Sequence, residues 1–350
     1  MQESLLPILK CPVTRTPLTI KVFKKGTKIL NGKSVNIIEE AILYSDTDWF
    51  YPVIKGLPRL QVEAFLDHAA FLKANETGYE NRKKDLLEKY GALIKYAVKK
   101  NKRTKESFTK EWSVFDHHKD KTWDAGDDAM LNRFLKETNE TASSLKNKII
   151  FDAGCGHGKL DLLIAGHCAT VIGMDFADCI EEAYAANQFE NVHFIGGDVQ
   201  FPPLPFDHFD LVHCSGVLVH TNNAELSFSC IEPTVKENGK LSVWLYHPRK
   251  DLIHNLFNHI RKVTSKFPLT FQYYLYLLTV FPVSYCVKKW KGNKQNSREM
   301  MLQILDWFTP EFRWEHEHTE VVSWFSKRGY KNTHITTLDT FGFNTVGEKM

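Results

Sequence analysis

The chain has 350 residues, with 45 Lys and Arg against 42 Asp and Glu and 43% apolar side chains. That is too apolar for a disordered chain and too poor in Gly and Pro for a fibrous one, and a net charge of +3 does not point to nucleic acid as an obligatory partner. Seven cysteines, odd in number and without tight spacing, exclude a disulfide framework and indicate a reducing compartment. The start, MQESLLPILKCP, lacks a basic stretch followed by an apolar core, so no secretory signal is expected and the cytoplasm is the expected location.

Three textures follow one another. Residues 1–62 read as a small β-rich domain of short strands, LTIKVF, KILN, SVNIIEEAILYS and WFYPVI. Turn signals stand at Lys25-Gly26, Asn31-Gly32 and Lys55-Gly56. Residues 63–146 read as helical and polar, with Asp67 to Lys73 and Arg82 to Lys100 as the best periodic runs. The basic run from Lys95 to Lys105 is expected as a solvated helix end. From 147 to 350, short apolar runs alternate with helical spacing, which predicts an α/β, doubly wound, Rossmann-like sheet. Its strands are expected at KIIFDAG, TVIGMDF, NVHFIGGD, FDLVHCSG, KLSVWLYHP, YKNTHITTL and FGFNTVGEK, with Thr319 capping the helix EVVSWFSKR. A helical insert interrupts this domain at about 250–310. Within it, Phe267 to Val287 is uncharged and nearly long enough to span a membrane, but Pro268, Pro282 and several polar residues favour a buried or lid-forming helical pair. Contact with a membrane surface or a lipid-like substrate is the intermediate reading.

The strongest chemical signal is Phe151-Asp152-Ala153-Gly154-Cys155-Gly156-His157-Gly158, between a strand and a helix. Alternating glycines let the backbone turn sharply and let a ligand lie against it. The spacing G-x-G-x-G, with an acid two residues earlier, differs from the dinucleotide pattern and disfavours a nicotinamide cofactor. Asp152 suits a cationic or amine-bearing ligand. Asp175 ends the second strand, 23 positions on, where a carboxylate can accept both hydroxyls of a ribose. Asp198 ends the third strand, where its side chain can accept from an adenine amino group, and Cys214-Ser215-Gly216 ends the fourth.

These segments resemble the class I S-adenosylmethionine-dependent methyltransferases: FDAGCGHG as the glycine motif, Asp175 as the ribose acid, Asp198 as the adenine-side acid and FDLVHCSG as the fourth-strand entry. Val235 to Gly239 is a looser match to the family's post-strand turn. The resemblance covers about residues 147–347 and implies S-adenosylmethionine as cofactor, bound by Asp152, Gly154, Gly156, Gly158, Asp175, Asp198, Val199 and Cys214. Leu5 to Leu18 and Trp49 to Leu60 resemble the small Trm112-like, zinc-ribbon-like domain that precedes some of these enzymes. Thr14 stands where zinc-binding relatives have a second cysteine after Cys11, so no metal is expected. Phe108, Trp112 and Phe115 resemble a signature that often precedes the catalytic domain, and the segment from Asp306 to Phe325 resembles the C-terminal portion of such chains.

The implied chemistry is in-line transfer of the sulfonium methyl to a nucleophile. Candidates to take its proton are His220, Tyr246 and His247, with His316 and His318 behind them. The aromatic insert suggests a small-molecule acceptor that is bulky, apolar or sugar-containing. A tRNA or other RNA acceptor, and a non-catalytic binding partner with this fold, are the competing readings.

Overall fold

The computed structural model describes residues 1–114, 120 and 126–350; Phe115 of the aromatic signature lies outside them. The N-terminal region forms an antiparallel sheet in the order β1 (Thr19–Leu30), β2 (Lys33–Tyr44), β3 (Phe50–Ile54) and β4 (Leu57–Pro58). Asn31 and Gly32 both have positive φ, the requirement of a tight two-residue hairpin turn. Lys25-Gly26 is not a turn. The register shifts at Phe23 and at Glu39 of the partner strand, Gly26 pairs with Ile37 inside the ladder, and LTIKVF and KILN become one strand. Trp49, Phe50 and Tyr51 are fully buried beneath the sheet, and the Tyr51 hydroxyl lies 3.3 Å from Cys11 Sγ.

Helices α1 (Ala64–Asp67) and α2 (Ala69–Asn75) divide the first expected helical run, breaking at His68. They lead to α3 (Tyr79–Ser113), which bends at Tyr90, beside Gly91, and to α4 (Asp127–Glu137). The main sheet then forms from β5 (Ile149–Ala153), α5 (Lys159–Ile164), β6 (Thr170–Asp175), α6 (Cys179–Ala186), β7 (Val192–Gly196), β8 (Phe209–Ser215), α7 (Ala224–Ile231) and β9 (Val235–Tyr246). After the insert α8 (Leu252–Thr264), α9 (Leu269–Leu278), α10 (Val280–Trp290) and α11 (Ser297–Phe308), the chain closes with α12 (His318–Ser326), β10 (Tyr330–Leu338) and β11 (Gly342–Lys349).

Seven strands lie in the order β10-β11-β9-β8-β5-β6-β7, with β11 antiparallel to β9 and the strands from β9 to β7 mutually parallel. The fold is the doubly wound α/β arrangement with a small antiparallel sheet beside it. Successive side chains of a strand point to opposite faces. Phe151, Ile172 and Val212 therefore join one apolar layer, and Ile150, Val171 and Leu211 the other. The winding direction reverses between β5 and β8, and ligands of such sheets bind at the carboxyl ends there.

The small sheet docks on the outer edge of β7. Leu60 N–H donates to the Gly196 carbonyl at 2.7 Å, Arg59 forms a parallel bridge with Gly196, and the Arg59 guanidinium pairs with Glu181 of α6. One continuous apolar layer runs from Trp49 and Phe50 to Phe151 and Ile195.

Two further boundaries differ from expectation. Glu317, not Thr319, precedes α12, and it makes no side-chain cap, so Thr319 falls in the first turn. Residues 235–239 lie inside β9, where Asn238 at φ 60° breaks the register with β8 in place of a loop. Residues 267–287 fold as α9 and α10 with a break at Thr279, and no helix among the described residues is long and apolar enough to cross a membrane.

Candidate active site

The glycine turn leaves β5 at its carboxyl end and is stitched to the next strand: Gly154 and Cys155 N–H both donate to the Met174 carbonyl, at 2.7 and 3.0 Å. Gly154 has φ +94°, and a Cβ there would stand 2.2 Å from a Val217 methyl, so a side chain is excluded by conformation and by space. Gly156 N–H donates to Asp175 Oδ2 at 2.9 Å, and Ala177 N–H donates to Oδ1 at 2.8 Å. The Phe176 N–H also acts on the carboxylate, which still keeps lone-pair capacity for a ligand. Burial raises the Asp175 pKa to about 6 against the opposing pull of those N–H groups. This is a half-buried carboxylate short of donors, and a ribose diol would supply two.

Trp112, near the end of α3, closes over the turn. Its ring meets His157 edge-on at 4.6 Å, and a Cβ on Gly156 would come within 3.3 Å of the indole. The crevice is therefore walled by a residue almost forty positions before the glycine motif.

The other expected donor-site residues are placed differently. Asp152 Oδ1 pairs with His213 Nδ1 at 3.0 Å, and His213 Nε2 with Glu137 Oε2 at 3.1 Å. Burial pushes the His213 pKa down, but the two carboxylates outweigh it and raise it to about 10, so the imidazolium is held between them. This buried chain ties β5 and β8 to the end of α4. Asp198 is buried: Oδ2 accepts from Lys100 Nζ and, at 2.9 Å, from Asn101, and Oδ1 accepts from Gln200 N–H at 2.9 Å. Lys100 and Asn101 belong to the basic run of α3, so that run is not simply a solvated helix end. Val199 and Cys214 are buried beside these groups. Asp210 stands at the amino end of β8, accepting from Ile149 N–H, on the far side of the sheet from the crevice.

Beyond the ends of β8 and β9 lies a second polar cluster. His220 is buried, and its Nδ1–H donates to the Phe312 carbonyl at 2.9 Å, which leaves the Nε2 lone pair 3.9 Å from Asp306 Oδ1. Burial lowers its pKa to about 3, so the ring is neutral. The Tyr246 hydroxyl donates to Asp306 Oδ2 at 3.3 Å, and the Arg313 guanidinium lies over the rings of Tyr246 and Trp307, 3.9 and 4.2 Å from their centroids. Glu111, only 1% exposed, has an Oε2 with no partner, and burial together with Asp306 drives its pKa well up. The cluster thus holds two coupled carboxyls, a phenol and a neutral imidazole.

His247 bonds the Pro248 and Asp339 carbonyls, His316 faces Glu320 and Trp324, and His318 is exposed near Phe343. The structure brings His220 and Tyr246 together and leaves these three apart. Sequence reading missed Glu111, Asp306 and Arg313, whose only local signal was adjacency to Trp112 and membership of the 306–325 segment.

A family model described as a methyltransferase domain matches residues 151–243, from the glycine turn into β9. Over these residues the chain is similar to methyltransferase domains. The cofactor of such a domain is S-adenosylmethionine, and Asp175 with the glycine turn fits its ribose. A curated relative, ubiquinone biosynthesis O-methyltransferase of Coxiella burnetii, is 28% identical over 115 residues, 32% of this chain and 49% of the relative. The chain spans about half the length of the curated relatives it matches. Among solved structures, magnesium protoporphyrin IX methyltransferase from Synechocystis aligns at 15% identity over 69% of this chain and 84% of its own, with a TM-score of 0.38. A methyltransferase from Aquifex aeolicus aligns at 14% identity over 67% and 100%, with a TM-score of 0.40.

Proposed function

We propose that the protein transfers the methyl group of S-adenosylmethionine to a small-molecule acceptor through a hydroxyl. The observation that carries this is the Asp175–glycine turn at the carboxyl ends of β5 and β6, together with the buried acid, phenol and imidazole cluster past the ends of β8 and β9. The curated relative is named as an O-methyltransferase, which supports an oxygen acceptor. S-adenosylmethionine supplies a methyl already activated by its sulfonium. What remains for the chain is to align the two partners, exclude water and remove the acceptor's proton.

Asp175 and the N–H groups of the turn hold the ribose side, and Trp112 shields the turn from water. Asp306 receives the proton, directly or through Tyr246. Glu111, kept protonated by burial beside Asp306, limits the pair to one negative charge. Neutral His220 presents its Nε2 lone pair to the same space. Trp307 and Phe308 on α11, with Phe257 and Tyr276, put aromatic surface beside the cluster, which supports a bulky apolar or sugar-containing acceptor. An RNA acceptor receives less support, because Lys100, Arg103 and Lys105 of the basic run are engaged with Asp198, backbone carbonyls of residues 265–266 and Asp67.

The test is a labelled-methyl screen of fractionated cell extract with the full chain, followed by titration calorimetry with S-adenosylhomocysteine. Label should appear in a small-molecule fraction as an ether, and calorimetry should give one site per chain. Label confined to RNA, or no affinity for S-adenosylhomocysteine, overturns the reading.

A further inference from the structure

Helix α8 turns several polar side chains inward. On α8 the residues facing the protein are His254, Arg261 and Thr264: His254 Nε2 pairs with Glu315 at 2.6 Å, and Arg261 donates to the carbonyls of Pro310 and Glu311. The residues facing solvent include Leu252, Leu256, Ile260 and Val263. At 3.6 residues per turn these four fall within an arc of about 80°, a single apolar stripe. A helix at the surface of a water-soluble domain shows the opposite arrangement. The neighbouring helices pack apolar residues inward and expose others beside the stripe: Phe271 and Leu278 on α9, Val283 on α10, and Trp290 at its end, which is 87% exposed. All three helices pack on α11, which supports them from below.

The charge around this face is of one sign. From residue 252 to 298 there is no Asp or Glu, while Lys262, Lys266, Lys289, Lys291 and Lys294 are exposed. A second copy of the chain would bring like charges together, which disfavours self-association through this face. A nucleic acid would meet the lysines but leave the apolar stripe in water. An anionic lipid surface satisfies both, because the stripe sinks to the headgroup boundary and the lysines near the surface are drawn to its negative potential. Long lysine stems and an interfacial tryptophan suit that depth.

We infer that α8, α9 and α10 form a docking face for the surface of an anionic phospholipid bilayer, lying in its interface and not across it. The inference is independent of methyl transfer, and cofactor binding serves as the folding control.

The experiment is co-sedimentation of the full chain with vesicles of phosphatidylcholine alone or mixed with phosphatidylglycerol. Binding should favour the mixed vesicles by at least about tenfold and weaken steeply with added salt. The double variant Leu256→Glu, Val263→Glu should lose at least about tenfold in partitioning while retaining S-adenosylhomocysteine affinity. A second variant, Lys289→Ala with Lys291→Ala, keeps the apolar stripe and should lose most of the preference for phosphatidylglycerol; it carries the test if the first variant fails to fold. Equal binding by parent and variants overturns the inference. So does absence of vesicle binding by a parent that binds S-adenosylhomocysteine, whether it sediments as a monomer or as a concentration-dependent dimer.

Discussion

The crevice around Asp175 and the cluster around Asp306 are built by opposite means. The first is local: a turn, two strand tips and backbone N–H groups, all between residues 152 and 177. The second is assembled from far apart, with Glu111 on α3, His220 after β8, Tyr246 on β9 and Asp306 on α11. Geometry set by backbone survives changes in distant packing, whereas a cluster gathered from four elements depends on each of them being seated. In the proposed site the cofactor side is thus set by one stretch of chain, and the acceptor side by the packing of four elements.

That contrast is open to attack in order of expected effect. Asp306→Asn removes the proposed proton acceptor, and kcat should fall by about 10²–10⁴-fold with S-adenosylhomocysteine affinity unchanged in calorimetry. Parallel losses of both would erase the division between the two pockets. His213→Leu leaves buried Asp152 without its partner and Glu137 with Arg133 alone, and should cost about 3–5 kcal/mol in chemical denaturation. Asp175→Ala removes two charge-assisted contacts from the cofactor side, so affinity for S-adenosylhomocysteine should weaken by about 10–100-fold while Tm changes little. Gly154→Val meets Val217 and a left-handed backbone at once, so it should lower Tm as well as affinity.

Two pH profiles sharpen the same division. In the proposed site Asp175 holds the ribose hydroxyls as the carboxylate, and burial raises its pKa to about 6, so cofactor affinity should decline as pH falls through that value. The Asp175→Ala variant should lose this dependence. His213 works in the other direction. Its pKa is raised from 6.5 to about 10 in the folded chain, so its contribution to stability is complete below 6.5 and lost as pH rises toward 10. Denaturation midpoints measured between those limits should fall, and the His213→Leu variant should show a flatter profile.

Much of the sheet was legible because each parallel strand is a continuous apolar run ended by a turn, and those runs were found at KIIFDAG, TVIGMDF and FDLVHCSG. Asp175 was legible for the same reason, since the end of a strand marks its place. Lys25-Gly26 misled because glycine also stands inside strands where a side chain would collide, here with Glu39 of β2, and only the pairing reveals it. The partners of Asp152 and Asp198 were hidden, because Glu137 and Lys100 reach them from helices whose own sequence pattern is that of a polar surface. The inward polar face of α8 was equally invisible, since amphipathic spacing gives a stripe but not the side on which the protein lies.

The join between Leu60 and Gly196 has a practical consequence. Strand β7 ends the parallel sheet, an edge whose last residue, Gly196, is paired by the N-terminal segment at Arg59 and Leu60. A fragment trimmed to the family-matched core would bare that border together with the apolar side of Ile195, and would be expected to clump when expressed. The small sheet is a working boundary of the larger one, and the two are best handled as one piece.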